Sequence, residues 1–248
     1  MSARMLVGML SVALLATGCT TGQPSAFIPP PIPPHPTAAR SFTPAPAPTR
    51  DVATAPTPAP MALASTGLVM HLRAEWEEHK PIEIRLDKMG GKPLCITVHH
   101  EGPSPNPQKP VKMLLAGIEE VHESPRADGG MAAGAIGYHF IIDAKGEVWE
   151  GRPIQYQGAH AGNNNANRQN IGICLLGNFE VQKPTPAQKA ALQKLLNRLM
   201  AQYSIPSSHI YTHREVKEKY GLASTDCPGR YLQPYVDQLR QDYRTAKR

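Results

Sequence analysis

Two periods of apolar residues run through the chain from about residue 92 onward. "KPLCITVHH" (92–100) is short, β-branched and ended by polar residues, which predicts a buried strand. In "VKMLLAGIEEVHES" the apolar positions 111, 114, 115, 118 and 121 fall at helical spacing. "IGYHFIIDAKGEVWEG" reads as two strands joined through "DAKG", and "QNIGICLLGNF" as a further strand. "PTPAQKAALQKLLNRLMAQY" is the clearest helix. Thr185 stands at its N-cap, Pro186 in its first turn and Gln188 at the capping-box position, and Leu192, Leu195, Leu196, Leu199 and Tyr203 form its apolar stripe. "HIYTH" predicts a short strand and "YLQPYVDQLRQDY" a last helix with Pro234 near its start. Strands that alternate with helices predict an α/β fold, a central mixed β-sheet flanked by helices, over one domain at 63–248.

The N-terminal 62 residues follow neither period. Arg4 precedes an apolar run from Met5 to Ala16, and small residues lead to Cys19. The run is too short to cross a bilayer, which needs about 20 apolar residues, so residues 1–19 read as a secretory signal. The ending "LATGC" resembles the lipobox of bacterial lipoproteins, which implies lipidation of Cys19 and a membrane anchor that does not span. Thr20 follows, where an Asp is absent. That resembles outer-membrane sorting, with the protein facing the periplasm. Residues 20–62 are Pro, Ala and Thr with almost no large apolar side chains, a composition that cannot bury enough surface to fold. Half of the chain's 26 prolines fall there. The stretch reads as an extended tether of roughly 100 Å at full length.

Charge changes this picture little. The formal net charge of +6 is spread along 248 residues and not gathered into a block. It is compatible with an anionic cell-wall polymer or membrane surface; no nucleic-acid partner is expected.

The candidate chemistry lies at strand ends. His99 and His100 close one strand, His213 closes another, and Cys227 stands in a polar loop beyond it. Imidazole and thiolate are good zinc ligands, and catalytic zinc commonly has three protein ligands. One histidine of the first pair with His213 and Cys227 would make such a set. Neighbours in a strand point to opposite faces, so the local sequence does not choose between His99 and His100. The remaining thiols, Cys95 and Cys174, lie in apolar runs, buried or paired with each other.

The whole folded part resembles the zinc amidases that include the peptidoglycan recognition proteins and the amidase-type phage lysozymes. The resemblance is carried, in order, by "RAEW" (73–76), "ITVHH", His122, "IGYHFIIDAKGEVWEGR", "GAHAGNNNANRQNIGICLLGNF" and the pair "THREV" and "TDCPG". It implies an N-acetylmuramoyl-L-alanine amidase with Zn2+ held by His99, His213 and Cys227. Tyr138 and Thr225 take the catalytic polar positions and His160 a substrate contact in the cleft. The partner implied is peptidoglycan or its muropeptides, and the protein is expected to act as a monomer. His100, His122 and His139 are read as structural, and Glu150 and Arg152 as fixing the hairpin end.

The chain departs from the pattern in several places. "KEKYGLA" lengthens the stretch between the last histidine and the cysteine. Glu101 replaces a small hydroxyl residue, a Trp and an Asp are missing before the hairpin, and "EGRP" replaces a Gly-Trp version. Two rival readings follow. One is a non-catalytic peptidoglycan-binding module. The other is a cysteine hydrolase with Cys227 as nucleophile and His213 as base.

Overall fold

A computed structural model describes residues 67–102, 109–125 and 132–246. The signal segment with Cys19 and the tether to residue 62 lie outside the described residues.

Among the described residues, six strands form one sheet. In chain order they are β1 (Met70–His71), β2 (Cys95–His100), β3 (Phe140–Ile142), β4 (Val148–Glu150), β5 (Asn170–Leu175) and β6 (Ile210–Thr212). Across the sheet the order is β1-β4-β3-β5-β2-β6. Only the β3–β4 hairpin pairs antiparallel; the other neighbours are parallel, so the sheet is mixed as expected. The helices are α1 (Val111–Glu123), α2 (Asn164–Asn167), α3 (Pro186–Tyr203), α4 (His213–Lys219) and α5 (Gln233–Thr245).

Register sets the two faces. β2 and β5 run side by side with Ile96 opposite Ile171 and Val98 opposite Ile173. These side chains are fully buried and share one core with Leu192, Leu195, Leu196 and Leu199 of α3 and with Val236 and Leu239 of α5. Successive residues of a strand point to opposite faces, so Thr97, His99, Asn170, Gly172 and Cys174 belong to the other side. That side packs a smaller cluster, in which Cys174 joins Leu115 of α1 and Ile136, Ile141 and Trp149.

α3 begins as its sequence predicts. Thr185 Oγ1 accepts from Gln188 N at 3.0 Å, and Gln188 Oε1 accepts from Thr185 N at 3.0 Å. The N-terminal segment of the folded part is tied down by charge and carbonyls. Arg73 pairs with Glu77 and Glu119 at 2.8 and 2.7 Å, and Trp76 Nε1 donates to Glu150 O. Arg152 donates to the carbonyls of Ala135, Ile136 and Gln157, so it fixes the end of the hairpin.

One reading needs correction, and two open points are resolved. Val121, placed in the apolar stripe of α1, is 71% exposed; Leu115 and Glu119 are the residues that α1 buries. Of the "KEKYGLA" stretch (217–223), residues 217–219 close α4, which buries only Val216 and so shows no apolar stripe to read, and residues 220–223 follow the helix. Cys95 and Cys174 are free thiols. Cys95 faces Asn170 and Cys174 faces His99, four residues further along, or about 13 Å at strand rise. A disulfide needs Cα atoms within about 7 Å.

Candidate metal centre

The site sits where the parallel strands β2, β5 and β6 end. β2 delivers His99, which is buried, with its ring on the face away from α3. His100 points the other way, and its Nδ1 accepts the backbone N–H of Phe179 at 3.2 Å. The structure therefore separates the two neighbours that the sequence left equivalent. β6 ends at Thr212, whose side chain caps α4, and His213 is the first residue of that helix. Cys227 comes from a turn that lies against both. Its carbonyl accepts from Arg214 N at 3.0 Å, and the Arg214 guanidinium donates to the carbonyls of Thr225 and Asp226. Gly229, at φ +91°, lets this turn touch β5's exit: a Cβ there would come 2.3 Å from the backbone of Phe179.

These three segments bring His99, His213 and Cys227 together, with one ligand atom of each within 4.8 Å of the others. Cys227 Sγ lies 3.7 Å from His99 Nδ1. A nitrogen and a sulfur that share a tetrahedral zinc lie roughly 3.5 Å apart. His213 Nε2 is buried and has no hydrogen-bond partner. An unpaired buried polar atom is costly, and a cation at the shared point removes that cost. Burial holds the His99 imidazole well below its usual range and takes His213 down to about 4, with Lys217 and His100 adding to the second shift. Both rings are thus neutral ligands. Burial pushes the Cys227 thiol up to about 12, against a small opposing contribution from the His100 N–H. A bound cation reverses that preference, because a coordinating thiol is deprotonated outright. Donor set, spacing and the orphaned nitrogen all fit zinc. Without a cation, burial keeps the thiol protonated, whereas a cysteine nucleophile relies on a lowered thiol pKa.

The other expected site residues are placed as follows. Tyr138 packs its ring 5.2 Å from that of His99, and its phenol lies against the Cys174 thiol; burial, then the neighbouring thiols and Glu101, raise its pKa well above the usual value. Thr225 Oγ1 accepts from Cys227 N at 3.2 Å, which leaves the hydroxyl proton to be donated elsewhere. His160 lies behind His99, on the inner side of the centre. It is 7% exposed and its two ring nitrogens already face His99 and Asn170. His122 accepts from Gly137 N and His139 from Gly172 N, so both hold the backbone. Beside the centre a groove of about 300 Å³ is lined by Glu101, Tyr138, His122 and the Leu114–Ile118–Val121 side of α1. Burial takes the Glu101 carboxyl up to about 7, and its Oε2 has no partner.

Sequence reasoning missed the residues that support this centre. Asn167 Oδ1 accepts the backbone N–H groups of His160 and Ala161, and Asn170 Oδ1 accepts from Thr97 Oγ1. A signal for them existed in the second and third asparagines of "NANRQN", which stand among residues otherwise typical of a solvent loop.

Residues 89–230 match the family described as N-acetylmuramoyl-L-alanine amidase (Amidase_2), and the chain belongs to that family. Peptidoglycan-recognition protein SC2 of Drosophila simulans is 42% identical over 95 residues, 38% of this chain and 47% of that protein. The chain thus spans about half the length of that relative. Among solved structures, the N-acetylmuramoyl-L-alanine amidase LysC from Clostridium intestinale URNW superposes with a TM-score of 0.50 at 27% identity, covering 69% of this chain and 96% of that one. The ectodomain complex of peptidoglycan recognition proteins LCa and LCx, with tracheal cytotoxin bound, gives 0.54 at 26% identity, covering 66% and 92%.

Proposed function

We propose that this chain is a zinc-dependent N-acetylmuramoyl-L-alanine amidase that hydrolyses the amide between N-acetylmuramic acid and L-alanine in peptidoglycan. The observation that carries the reading is the convergence of His99, His213 and Cys227, with the buried His213 Nε2 left unpaired. Zinc held by these three residues would supply a Lewis acid for the scissile carbonyl and a water of lowered pKa. The chain's own groups do the rest. Tyr138, kept protonated by burial, donates a hydrogen bond to the oxygen that gains charge in the tetrahedral species. Thr225 offers a second donor from the turn that carries the thiol. Losing one such donor typically costs about 3 kcal/mol of barrier. The groove between α1 and Tyr138, which opens beside the three converging residues, receives the stem peptide.

The same reading extends to the N-terminus. Cys19 carries a lipid that anchors the protein in the outer membrane, facing the periplasm, and residues 20–62 give the monomeric enzyme its reach. A Cys19→Ser variant should then leave the membrane fraction.

A second reading is a peptidoglycan-recognition module without turnover, favoured by the likeness to recognition proteins. Mass spectrometry of the products from defined muropeptides, with and without a chelator, separates the two. Release of free stem peptide that stops on chelation supports the amidase; binding with no cleavage in zinc-loaded protein supports recognition and overturns it.

A further inference from the structure

His160 is a buried imidazole directly behind His99. Its surroundings are specific. Gly172 of β5 lies directly beneath the ring, and a Cβ there would come within 2.5 Å of it. Gly158 also borders the ring, and a Cβ there would come within 2.4 Å of it. Asn167 holds the His160 backbone N–H at 3.0 Å. Both glycines are needed so that a ring can occupy this cradle.

The hydrogen bonds of that ring have only one consistent direction when the rings are neutral. His160 Nε2 lies 3.2 Å from the carbonyl oxygen of Asn170. A carbonyl only accepts, so the proton is on His160 Nε2. A neutral imidazole carries a single ring proton, so His160 Nδ1 presents a lone pair. That nitrogen is 3.0 Å from His99 Nε2. His99 must therefore donate through Nε2, and its lone pair is on Nδ1, the atom 3.7 Å from Cys227 Sγ.

We propose that His160 is a positioning residue: through the relay from His99 to His160 to the Asn170 carbonyl it fixes the tautomer and tilt of His99, and so aims Nδ1 at the point shared with His213 and Cys227. The inference rests on the reading of these three residues as the metal set. Orienting partners of this kind are a general feature of metal-binding histidines, where their loss typically lowers metal affinity 10–100-fold. Here the partner is a second imidazole, which can accept from His99 and donate to the strand at the same time. A carboxylate would accept equally well but would bring a charge into the cradle.

The test uses the full chain in three forms: wild type, His160→Phe and His160→Gln. Phenylalanine fills the cradle but accepts nothing. Glutamine can accept from His99 through its oxygen and donate to Asn170 through its nitrogen. Two-bond nitrogen–proton NMR of the metal-free wild type reads the His99 tautomer directly; the expected result is a proton on Nε2, and a proton on Nδ1 overturns the proposal. Chelator competition then reads zinc affinity. His160→Phe should lower it by about 10–100-fold with a mixed His99 tautomer, and His160→Gln should restore most of it. A His160→Phe protein that melts earlier yet keeps tautomer and zinc affinity makes the residue merely structural. Should the phenylalanine protein not fold, the wild-type spectrum and the glutamine variant still decide. A wild type that binds no zinc would remove the amidase reading while the tautomer result stood on its own.

Discussion

The two faces of β2 and β5 are made by the same twelve residues and do opposite work. On one face Ile96, Val98, Ile171, Ile173 and Leu175 are fully buried against α3 and α5. On the other, Thr97, His99, Asn170 and Gly172 are small or polar, and the room this leaves is filled by the His160 ring. The first face repeats one kind of contact, apolar on apolar, and tolerates averaging. The second pairs its polar atoms individually, and at its open end the buried His213 Nε2 and Glu101 Oε2 lack partners among the described residues. Parity along the strand thus separates stability from chemistry. A substitution at an even position of β2, or in the helices beneath, should unfold the protein, and one at an odd position should disarm it.

The sharpest way to break that division is Cys227→Ala. The thiol is buried but belongs to the odd face, so its loss should abolish zinc binding and reduce muropeptide cleavage by at least about 10³-fold, while the metal-free protein keeps its melting temperature within a few degrees. Zinc content by elemental analysis and product release by chromatography read the two halves. A variant that cleaves normally would sink the metal mechanism. Leu195→Ala tests the opposite face. Leu195 is fully buried in the α3 stripe, and the cavity should cost about 2–5 kcal/mol of stability in denaturant titrations. Turnover per folded molecule should not change. A fall in kcat at constant fold would show that the faces are coupled.

Tyr138→Phe is a finer probe, because it removes one oxygen and keeps the ring packed against His99 and His122. The expected loss is about 3 kcal/mol of barrier, on the order of 10²-fold in kcat, with KM nearly unchanged. An equal rise in KM with intact kcat would make the phenol a binding group instead.

Much of this division was legible in the chain. β-branched alternation located β2 and β5, and the leucine stripe with its capping box located α3, because these signals are local. The ends of the sheet were not legible. β1 is two residues long, and α4 buries a single apolar side chain, so neither carries a period. The choice between His99 and His100 depends on which face of β2 meets α3, and that is a property of the neighbours. His160 was visible as a histidine in a Gly-rich stretch, but its burial depends on Gly172 of β5, twelve residues further along, a contact that no local pattern shows. Cys227 was read in a polar loop and is 7% exposed, because the turn is pressed onto β5's exit by contacts remote in sequence.

The smallest effect lies at the next odd position. Glu101 follows Thr97 and His99 in parity, and its backbone N–H still bonds to Leu175 O at 3.1 Å, so the ladder extends to it. Its carboxyl reaches the groove beside Tyr138 with Oε2 unpaired. Burial raises its folded pKa to about 7 from an unfolded value of 4.5. The folded state therefore binds the proton more tightly. Stability is fully present below pH 4.5 and is lost as the pH rises through 7, where the buried carboxylate must ionise. For a half-buried group the loss is about 1–2 kcal/mol. In chelated protein Glu101→Gln should match wild type near pH 4 and melt later at pH 8, by roughly 2–6 °C. Identical curves at both pH values would mean that the carboxylate finds a donor in solution. The case for a cation would be untouched, since it rests on the convergence of His99, His213 and Cys227 and on the unpaired His213 nitrogen.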